Sequence, residues 1–176
     1  MKKFSILRLV YAALCLALCI VLPFVTGQIP QFGQMLSPMH LPALLCGFLC
    51  GWQYGATIGF ILPFLRSICF GMPPLYPNAV WMAAELLTYG LVIGLLFNKL
   101  PKNLFCTYIS LITSQVIGRI IWAIAKTILM GATGKAFTYA MFISGGFIDA
   151  LPGIILQLLL IPTIITILKH TKYKFN

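Results

Sequence analysis

The stretch GFLCGWQYGATIGF, residues 47–60, lies within an apolar region and decides how often the chain crosses a membrane. Its glycines recur every four residues, at Gly47, Gly51, Gly55 and Gly59. In one continuous helix, small residues at this spacing share a face and let a neighbouring helix approach closely. Because glycine also permits tight backbone reversals, the same stretch fits two short helices joined at its centre.

The composition indicates an all-α integral membrane protein. Of the 176 residues, 61% are hydrophobic and only two are acidic, which no average soluble domain resembles. The apolar run Leu9–Val25 follows Lys2 and Lys3, and no small-residue cleavage site comes after it. We therefore interpret it as a first transmembrane helix and not as a signal peptide. The net charge of +10 lies mostly in short clusters between or outside apolar segments, which indicates orientation in a membrane and no binding of nucleic acid.

Two chain paths remain when the crossings are counted. A single helix over residues 41–65 gives five crossings and places five basic residues on the non-cytoplasmic side. A turn at Gly51–Gly55 gives six crossings, and only Lys135 of the loop and terminal basic residues then lies outside. The positive-inside rule favours the turn. The remaining crossings are long apolar runs: Leu9–Val25, Ala79–Phe97, Leu104 to about Met130, and Met141–Leu168.

The sequence thus predicts one domain, residues 1–176, made of six transmembrane helices with cytoplasmic N- and C-termini. Helices two and three are expected to be short, tilted or not fully spanning, with their glycines allowing close packing. Three connections lie on the outer side: Gly27–His40, Gly71–Asn78 and Gly131–Ala140. The first two are rich in Gly and Pro and long enough to fold over the bundle as lids.

Five ionisable residues fall inside the apolar spans, where charge is costly and indicates function. By their distance along each span, at about 1.5 Å per residue, all five lie in the outer half of the bundle. They come from four different helices, as a polar pocket open to the outside requires. The five are Arg66, Glu85, Arg119, Lys126 and Asp149. Lys126, which is nearest the membrane surface, also fits a side chain that reaches toward the interface.

Aromatic and polar residues extend this predicted substrate-binding site. Trp81, Glu85 and Tyr89 recur every four residues and line one helix face. Polar contacts from above are expected from Gln34, His40 and Asn78. The three cations and two acids of the spans leave one surplus positive charge, which favours an anionic or zwitterionic small molecule. In the alternative interpretation, Glu85 and Asp149 neutralise Arg66 and Arg119 as structural pairs.

No motif for chemistry is present in the sequence. It contains no Walker-type GxxxxGK[ST], no HExxH and no recognisable nucleophile setting. The six cysteines have no acid or histidine at ligand spacing, so neither a metal site nor a disulfide is predicted. No catalytic residue and no cofactor of this chain is assigned. Two other functions stay open: an intramembrane enzyme using Glu85, Asp149 or His40 as acid or base, and a stand-alone carrier.

Three segments resemble a known family. They are YAALCLALC (residues 11–19), SPMHLPALLCGFLCGWQYGATIGFILPFLRS (residues 37–67) and FGMPPLYPNAVWMAAELLTYGLVIGLL (residues 70–96). Together with the length and the six-helix plan, they resemble the substrate-binding S components of energy-coupling factor (ECF) transporters, the bacterial vitamin importers. The first segment carries the Ala-xxx-Ala pattern of that family, here Ala13 and Ala17.

The resemblance implies a subunit of the bacterial cell membrane that captures a vitamin near the outer face, with the loop Gly27–His40 as a gate. It implies docking through Ala13 and Ala17 onto a membrane T component, which two cytoplasmic ATPases drive with ATP. It does not fix the vitamin. The positive surplus suits a carboxylate such as pantothenate, while pyridoxine-like compounds, thiamine precursors, riboflavin and queuosine precursors remain open.

Overall fold

The computed structural model describes residues 6–25, 38–132, 134 and 138–170. Helices and their connections make up this part of the chain, in which no strand occurs. The α-helices are α1 (Ile6–Val25), α2 (His40–Cys50), α3 (Trp52–Phe70), α4 (Val80–Lys99), α5 (Leu104–Ala132), α6 (Tyr139–Ile143) and α7 (Leu151–His170). A kinked segment, Leu75–Ala79, in which Tyr76 is extended (φ −126°, ψ 134°), precedes α4. A π-helical turn, Ser144–Ile148, follows α6. The predicted positions of Gln34 and Lys135, and residues 27–37 of the first lid, lie outside the described residues.

The chain reverses at Gly51, as the sequence predicted. Gly51 has φ 93° and ψ 175°, in the region that favours glycine, and it separates α2 from α3. A Cβ added to Gly55 would lie 2.8 Å from the Cα of Gly47, whereas a straight helix would separate these residues by about 12 Å. The reversal takes one residue and not the five from Gly51 to Gly55. The backbone N–H of Gly55 donates to the carbonyl of Gly51, so the first turn of α3 forms at once.

The glycines after the turn pack α3 directly against α4. A Cβ at Gly90 of α4 would lie 2.2 Å from the carbonyl carbon of Gly55, and one at Gly94 would lie 2.2 Å from the backbone nitrogen of Trp52. Neither position can hold a side chain without moving a backbone. Because lipid tails are as apolar as the helices, such close van der Waals contact is a main force that joins helices in a bilayer. The predicted role of the glycine stripe in close packing is confirmed.

Four segments meet at one end of the bundle. Tyr11 near the start of α1, Cys50 before the turn and Leu168 near the end of α7 belong to one apolar cluster. The ammonium of Lys169 donates to the carbonyl of Lys102 in the α4–α5 connection. We call this the Gly51 end. The opposite end, where the rings of Phe24 and Phe70 pack edge to face at 5.0 Å, is called the Gly71 end.

The expectation that the second and third helices are short holds for α2 only, since α3 is as long as the first crossing. Within the described residues, four segments are long and apolar enough to cross a membrane: Ile6–Phe24, Leu75–Lys99, Leu104–Ala132 and Tyr139–Lys169. Helix α2 has only 11 residues and α3 has 19. Both helices extend from Gly51 toward the Gly71 end. Because α2 is the shorter helix, its far end lies about 12 Å short of the Gly71 end. Its first residue, His40, therefore lies inside the bundle, which corrects the expectation that His40 contacts the site from above.

The last crossing, predicted over Met141–Leu168, is present as the apolar span Tyr139–Lys169, but its helix is not uniform. It runs through α6, the π-helical turn Ser144–Ile148 and α7. Two consecutive glycines, Gly145 and Gly146, lie within the π-helical turn, where they lower helix propensity. Their Cα positions face Trp122 of α5, since an added Cβ at either glycine would lie 3.6 Å from its indole ring.

Candidate functional site

A carboxylate lies at the centre of the polar interior. Oε1 of Glu85 accepts a hydrogen bond of 2.6 Å from the hydroxyl of Tyr89. The same oxygen lies 3.0 Å from Nη1 of Arg119. Glu85 and Tyr89 are each 2% exposed and Arg119 is 8% exposed. The predicted i, i+4 face of α4 and one predicted cation of α5 thus converge on one buried ion pair.

The local sequence explains why these groups meet. Tyr89 follows Glu85 by four positions, so their side chains share a face of α4. The ring of Tyr89 lies against Gly118 of α5, where an added Cβ would stand 2.1 Å from Cε1 of the ring. A glycine at this position gives the ring its space, and the next residue, Arg119, then reaches Glu85.

His40 brings α2 into the same cluster. Its Nε2 lies 3.7 Å from Oε2 of Glu85, and its ring packs at 5.8 Å from that of Tyr89. His40 is 6% exposed, and its Nδ1 has no hydrogen-bond partner among the described residues. We refer to His40, Glu85, Tyr89 and Arg119 as the Glu85 cluster.

Pairing of opposite charges stabilises the Glu85 cluster in the low-dielectric interior. A lone carboxylate at this burial would cost several kcal/mol, and the guanidinium of Arg119 offsets much of that cost. The described part of the chain pairs Glu85 with Arg119 and His40, not with Arg66. The alternative interpretation expected the two acids to form structural ion pairs with arginines. One such pair, Glu85–Arg119, is therefore present. Nδ1 of His40 still has no hydrogen-bond partner among the described residues.

Lys126 lies against two aromatic rings. Its Nζ lies 4.5 Å from the ring centroid of Trp122 and 5.3 Å from that of Trp81. Such cation–π contacts are worth about 0.5–2 kcal/mol, with the larger values in desolvated sites. Arg119 also contacts Trp122, with Cζ 6.0 Å from the ring centroid. Trp122 therefore joins the Glu85 cluster to Lys126, which the sequence analysis did not anticipate.

Arg66 lies apart from the Glu85 cluster. Its Nη1 donates to the carbonyl of Ile20 in α1 and its Nε donates to the carbonyl of Met72, both at 3.4 Å. Its guanidinium also lies 6.0 Å from the ring centroid of Phe70. Through these hydrogen bonds Arg66 connects α3 to α1 and to the start of the α3–α4 connection.

The other predicted residues have varied positions. Asp149 is exposed, follows the π-helical turn Ser144–Ile148 and belongs to no ion pair among residues 6–25, 38–132 and 138–170. Asn78 is half-buried in the turn before α4, and Trp81 is half-buried against Lys126. Gln34 lies outside the described residues.

Ala13 and Ala17, the two predicted interface residues, are exposed on α1. The opposite face of the helix, with Ala12, Cys15 and Cys19, is buried in the bundle. In the described structure the two alanines are therefore accessible to an outside partner.

A buried amide pair was missed by the sequence analysis. Nε2 of Gln115 in α5 donates to Oε1 of Gln157 in α7 at 2.9 Å. Both residues are less than 10% exposed. Two glutamines within apolar spans are a sequence signal for such a pair, because an unpaired buried amide is costly.

The arrangement offers charge, hydrogen bonds and indole faces within one interior region. These are the groups that recognise a small polar molecule. The described residues contain no group of three or more His, Cys, Asp or Glu side chains that could hold a metal ion.

Comparison with known proteins identifies the family. Residues 7–165 match the family model described as "ECF transporter, substrate-specific component". The match covers nearly the whole chain and includes every described residue of the Glu85 cluster. That family consists of transporter subunits and is not a family of enzymes. No curated protein and no solved structure matches the chain. This multi-pass membrane protein therefore belongs to the family of substrate-specific components of ECF transporters.

Proposed function

We propose that this chain is the high-affinity binding subunit of an ATP-driven importer for a small water-soluble vitamin or related micronutrient. The observation that carries the proposal is the Glu85 cluster, a buried set of charged and hydrogen-bonding side chains on α2, α4 and α5. Its location beside the recessed start of α2 supports entry of the ligand from the Gly71 end. Family membership supports the transport role.

The charge of the interior favours an anionic ligand. Arg119 pairs with Glu85, and a second cation, Lys126, lies against Trp81 and Trp122. A carboxylate such as that of pantothenate would restore neutrality, as buried charges require. We assign Glu85, Tyr89, Arg119, His40 and Trp81 to the ligand-lining set. A second set near the mouth completes the proposed site: Arg66, Asn78, Asp149 and Gln34.

The sidedness follows from the basic residues at the Gly51 end. Arg8, Lys99, Lys102 and Lys169 belong to segments that meet there. The positive-inside rule supports a cytoplasmic position for that end, and we therefore assign both termini to the cytoplasmic side of a bacterial plasma membrane. The Gly71 end then faces outward, and the whole chain, residues 1–176, forms one substrate-binding domain.

The exposed pair Ala13 and Ala17 supports a docking role for α1. Small residues four apart let a helix of another subunit approach closely. We assign this contact to a membrane T component, which in turn works with two cytoplasmic ATPase subunits. ATP is consumed by those subunits, and this chain binds no cofactor of its own.

The proposal is tested by identifying small molecules released from the denatured protein after mild-detergent purification. A stoichiometric vitamin-like compound is expected in the mass spectrum. The variant Glu85→Gln should reduce its content strongly, while Thr163→Ala, at an exposed position of α7, should not. An empty wild-type protein that also fails to bind a panel of water-soluble vitamins in calorimetry would refute the proposal.

A further inference from the structure

Arg66 is a buried cation without a counter-charge in this chain. It is only 5% exposed. The sequence has two acidic residues, Glu85 and Asp149. Glu85 pairs with Arg119 and His40. Asp149 belongs to no ion pair in the described part of the chain. Since a guanidinium stays protonated at neutral pH, the positive charge of Arg66 is present and is not neutralised by either acid.

The groups around the guanidinium supply dipoles and no negative charge. Nη1 and Nε donate to the carbonyls of Ile20 and Met72 at 3.4 Å, which is longer than the usual range of about 2.7–3.2 Å. The ring of Phe70 lies 6.0 Å away. These contacts orient the guanidinium, but buried charges in proteins are as a rule paired with an opposite charge. A counter-ion from outside this chain is therefore expected.

Part of the guanidinium stays open to such an ion. Arginine has five N–H donors, and two of them are engaged here. Nη2 makes no hydrogen bond with the described residues, and it is not one of the enclosed polar atoms that lack a partner. An outside group can therefore reach it. The N–H groups of Nη1 and Nη2 together form the fork with which arginine binds both oxygens of a carboxylate or phosphate.

Arg66 lies beside the recessed start of α2. Cys19, the residue before Ile20 on α1, interacts electrostatically with Arg66. Cys19 is fully buried in the larger apolar cluster of the bundle, and its thiol donates to the carbonyl of Met39 at 3.5 Å. Met39 directly precedes His40, the first residue of α2. The guanidinium is thus in the region through which the proposed ligand enters.

The other two arginines of the chain offer no comparable charge. Nη1 of Arg119 lies 3.0 Å from the carboxylate of Glu85, so its charge is neutralised. Arg8 is in the first turn of α1, near the Gly51 end. Arg66 lies four residues before the last residue of α3, about 6 Å from the Gly71 end. It is the arginine that combines burial, this position and the lack of a carboxylate partner.

We infer that Arg66 binds the anionic group of the imported ligand, a carboxylate or phosphate, beside the start of α2. This inference rests on the proposed function and deepens it, because it assigns the negative group of the ligand to one residue. The phosphate of an anionic lipid has the same chemistry. A lipid headgroup, however, contacts side chains on the outer surface, whereas Arg66 is almost fully buried.

The first test is calorimetry with matched pairs of an anion and its neutral counterpart. The pairs are pantothenate and pantothenol, nicotinate and nicotinamide, pyridoxal 5′-phosphate and pyridoxal, and flavin mononucleotide and riboflavin. Any compound identified by mass spectrometry of the purified protein is added with its own neutral analogue. We expect wild type to bind one anion at least tenfold more tightly than the neutral counterpart.

The same pair is then measured with variants of Arg66. Arg66→Gln keeps an amide donor for the carbonyls of Ile20 and Met72 but removes the charge, so it should bind both compounds weakly and equally. Arg66→Lys keeps the charge and should still prefer the anion. Arg8→Gln, the same substitution near the Gly51 end, should behave as wild type. A purely structural role of Arg66 would weaken both compounds equally and leave the preference unchanged.

A lipid partner is distinguished by thermal unfolding in detergent. Added dioleoylphosphatidylglycerol should raise the unfolding temperature of wild type and of Arg66→Gln equally. A rise that is lost in Arg66→Gln would identify the lipid phosphate as the partner of Arg66 and refute its assignment to the ligand.

The remaining outcomes separate this inference from the proposed function. A neutral ligand, or an unchanged preference for the anion in Arg66→Gln, would overturn the inference and leave the binding function intact. A wild-type protein that carries no compound and binds none would overturn the proposed function and the inference with it. If Arg66→Gln does not fold, modification of wild type by phenylglyoxal still decides. The bound anion should slow the reaction at Arg66 and not at Arg8, and equal rates with and without it would refute the contact.

Discussion

A methyl group on Gly118 of α5 would stand 2.1 Å from Cε1 of Tyr89 on α4. The absence of a side chain at residue 118 therefore fixes the ring position from which the Tyr89 hydroxyl donates to Glu85. Arg119 follows Gly118 directly. Two consecutive residues of α5 therefore position the Tyr89 hydroxyl and the Arg119 guanidinium, which both contact Oε1 of Glu85.

The first prediction concerns this glycine. Gly118→Ala should displace the Tyr89 ring and break a hydrogen bond to a charged group, which is worth about 1.5–3 kcal/mol. We expect the Kd of the ligand to rise about tenfold or more, as measured by calorimetry. Gly131→Ala, also in α5 but with open space around its added Cβ, serves as the control. Equal affinities of the two variants would show that Tyr89 does not depend on Gly118.

The second prediction concerns the contact of α3 with α4. Gly90→Ala should force the two backbones apart, because its Cβ would meet the carbonyl of Gly55 at 2.2 Å. Overpacking of this kind costs about 1–3 kcal/mol. The thermal unfolding temperature in detergent should fall for Gly90→Ala and stay unchanged for Gly131→Ala. An unchanged value in both variants would contradict the close packing of the two helices.

The third prediction concerns the buried ion pair. Arg119→Met should destabilise the protein by about 3–5 kcal/mol, because it leaves the Glu85 carboxylate buried without its cation. The double variant Glu85→Gln/Arg119→Met removes that carboxylate and should recover much of the lost stability. Thermal unfolding of these two variants, of Glu85→Gln and of wild type forms a double-mutant cycle. Additive losses would mean that the two residues do not stabilise each other.

The fourth prediction separates ligand capture from transport. Ala13→Trp should leave ligand binding intact, because Ala13 is exposed on α1. The indole would block close helix approach, so co-purification with the T component and ligand uptake by cells should be lost. Ile120→Trp, at an exposed position of α5, is the matched control for a bulky residue on the outer surface. Normal uptake by the Ala13→Trp cells would remove this alanine from the docking surface.

The sequence predicted those features that depend on local geometry. The turn at Gly51 follows from glycine chemistry and from the distribution of basic residues, and the Glu85–Tyr89 contact follows from helical spacing. Depth along each helix assigned Arg119 and Glu85 to the same half of the bundle. All of these rest on periodicity or rise per residue, which a single helix already defines.

The features that escaped prediction depend on contacts between helices. The place of His40 beside Glu85 follows from the length of α2, which is set by where the chain enters the bundle. Arg66 has a depth similar to that of Glu85 but points to Ile20 and Met72, and depth carries no information about direction. Lys126 depends on two tryptophans from different helices, a pairing that no spacing along one helix reveals.

The burial of helix α2 affects how the protein responds to the surrounding lipid. All of its residues except Leu41 are buried by other parts of the chain, so the helix that carries His40 has almost no boundary with lipid. Changes in bilayer thickness or acyl-chain composition act on a protein through its lipid-facing surface. Ligand affinity should therefore vary little between detergent, thin bilayers and thick bilayers. The exposed face of α1 with Ala13 and Ala17 meets the lipid directly, and assembly with a partner should be the step that is sensitive to the host membrane.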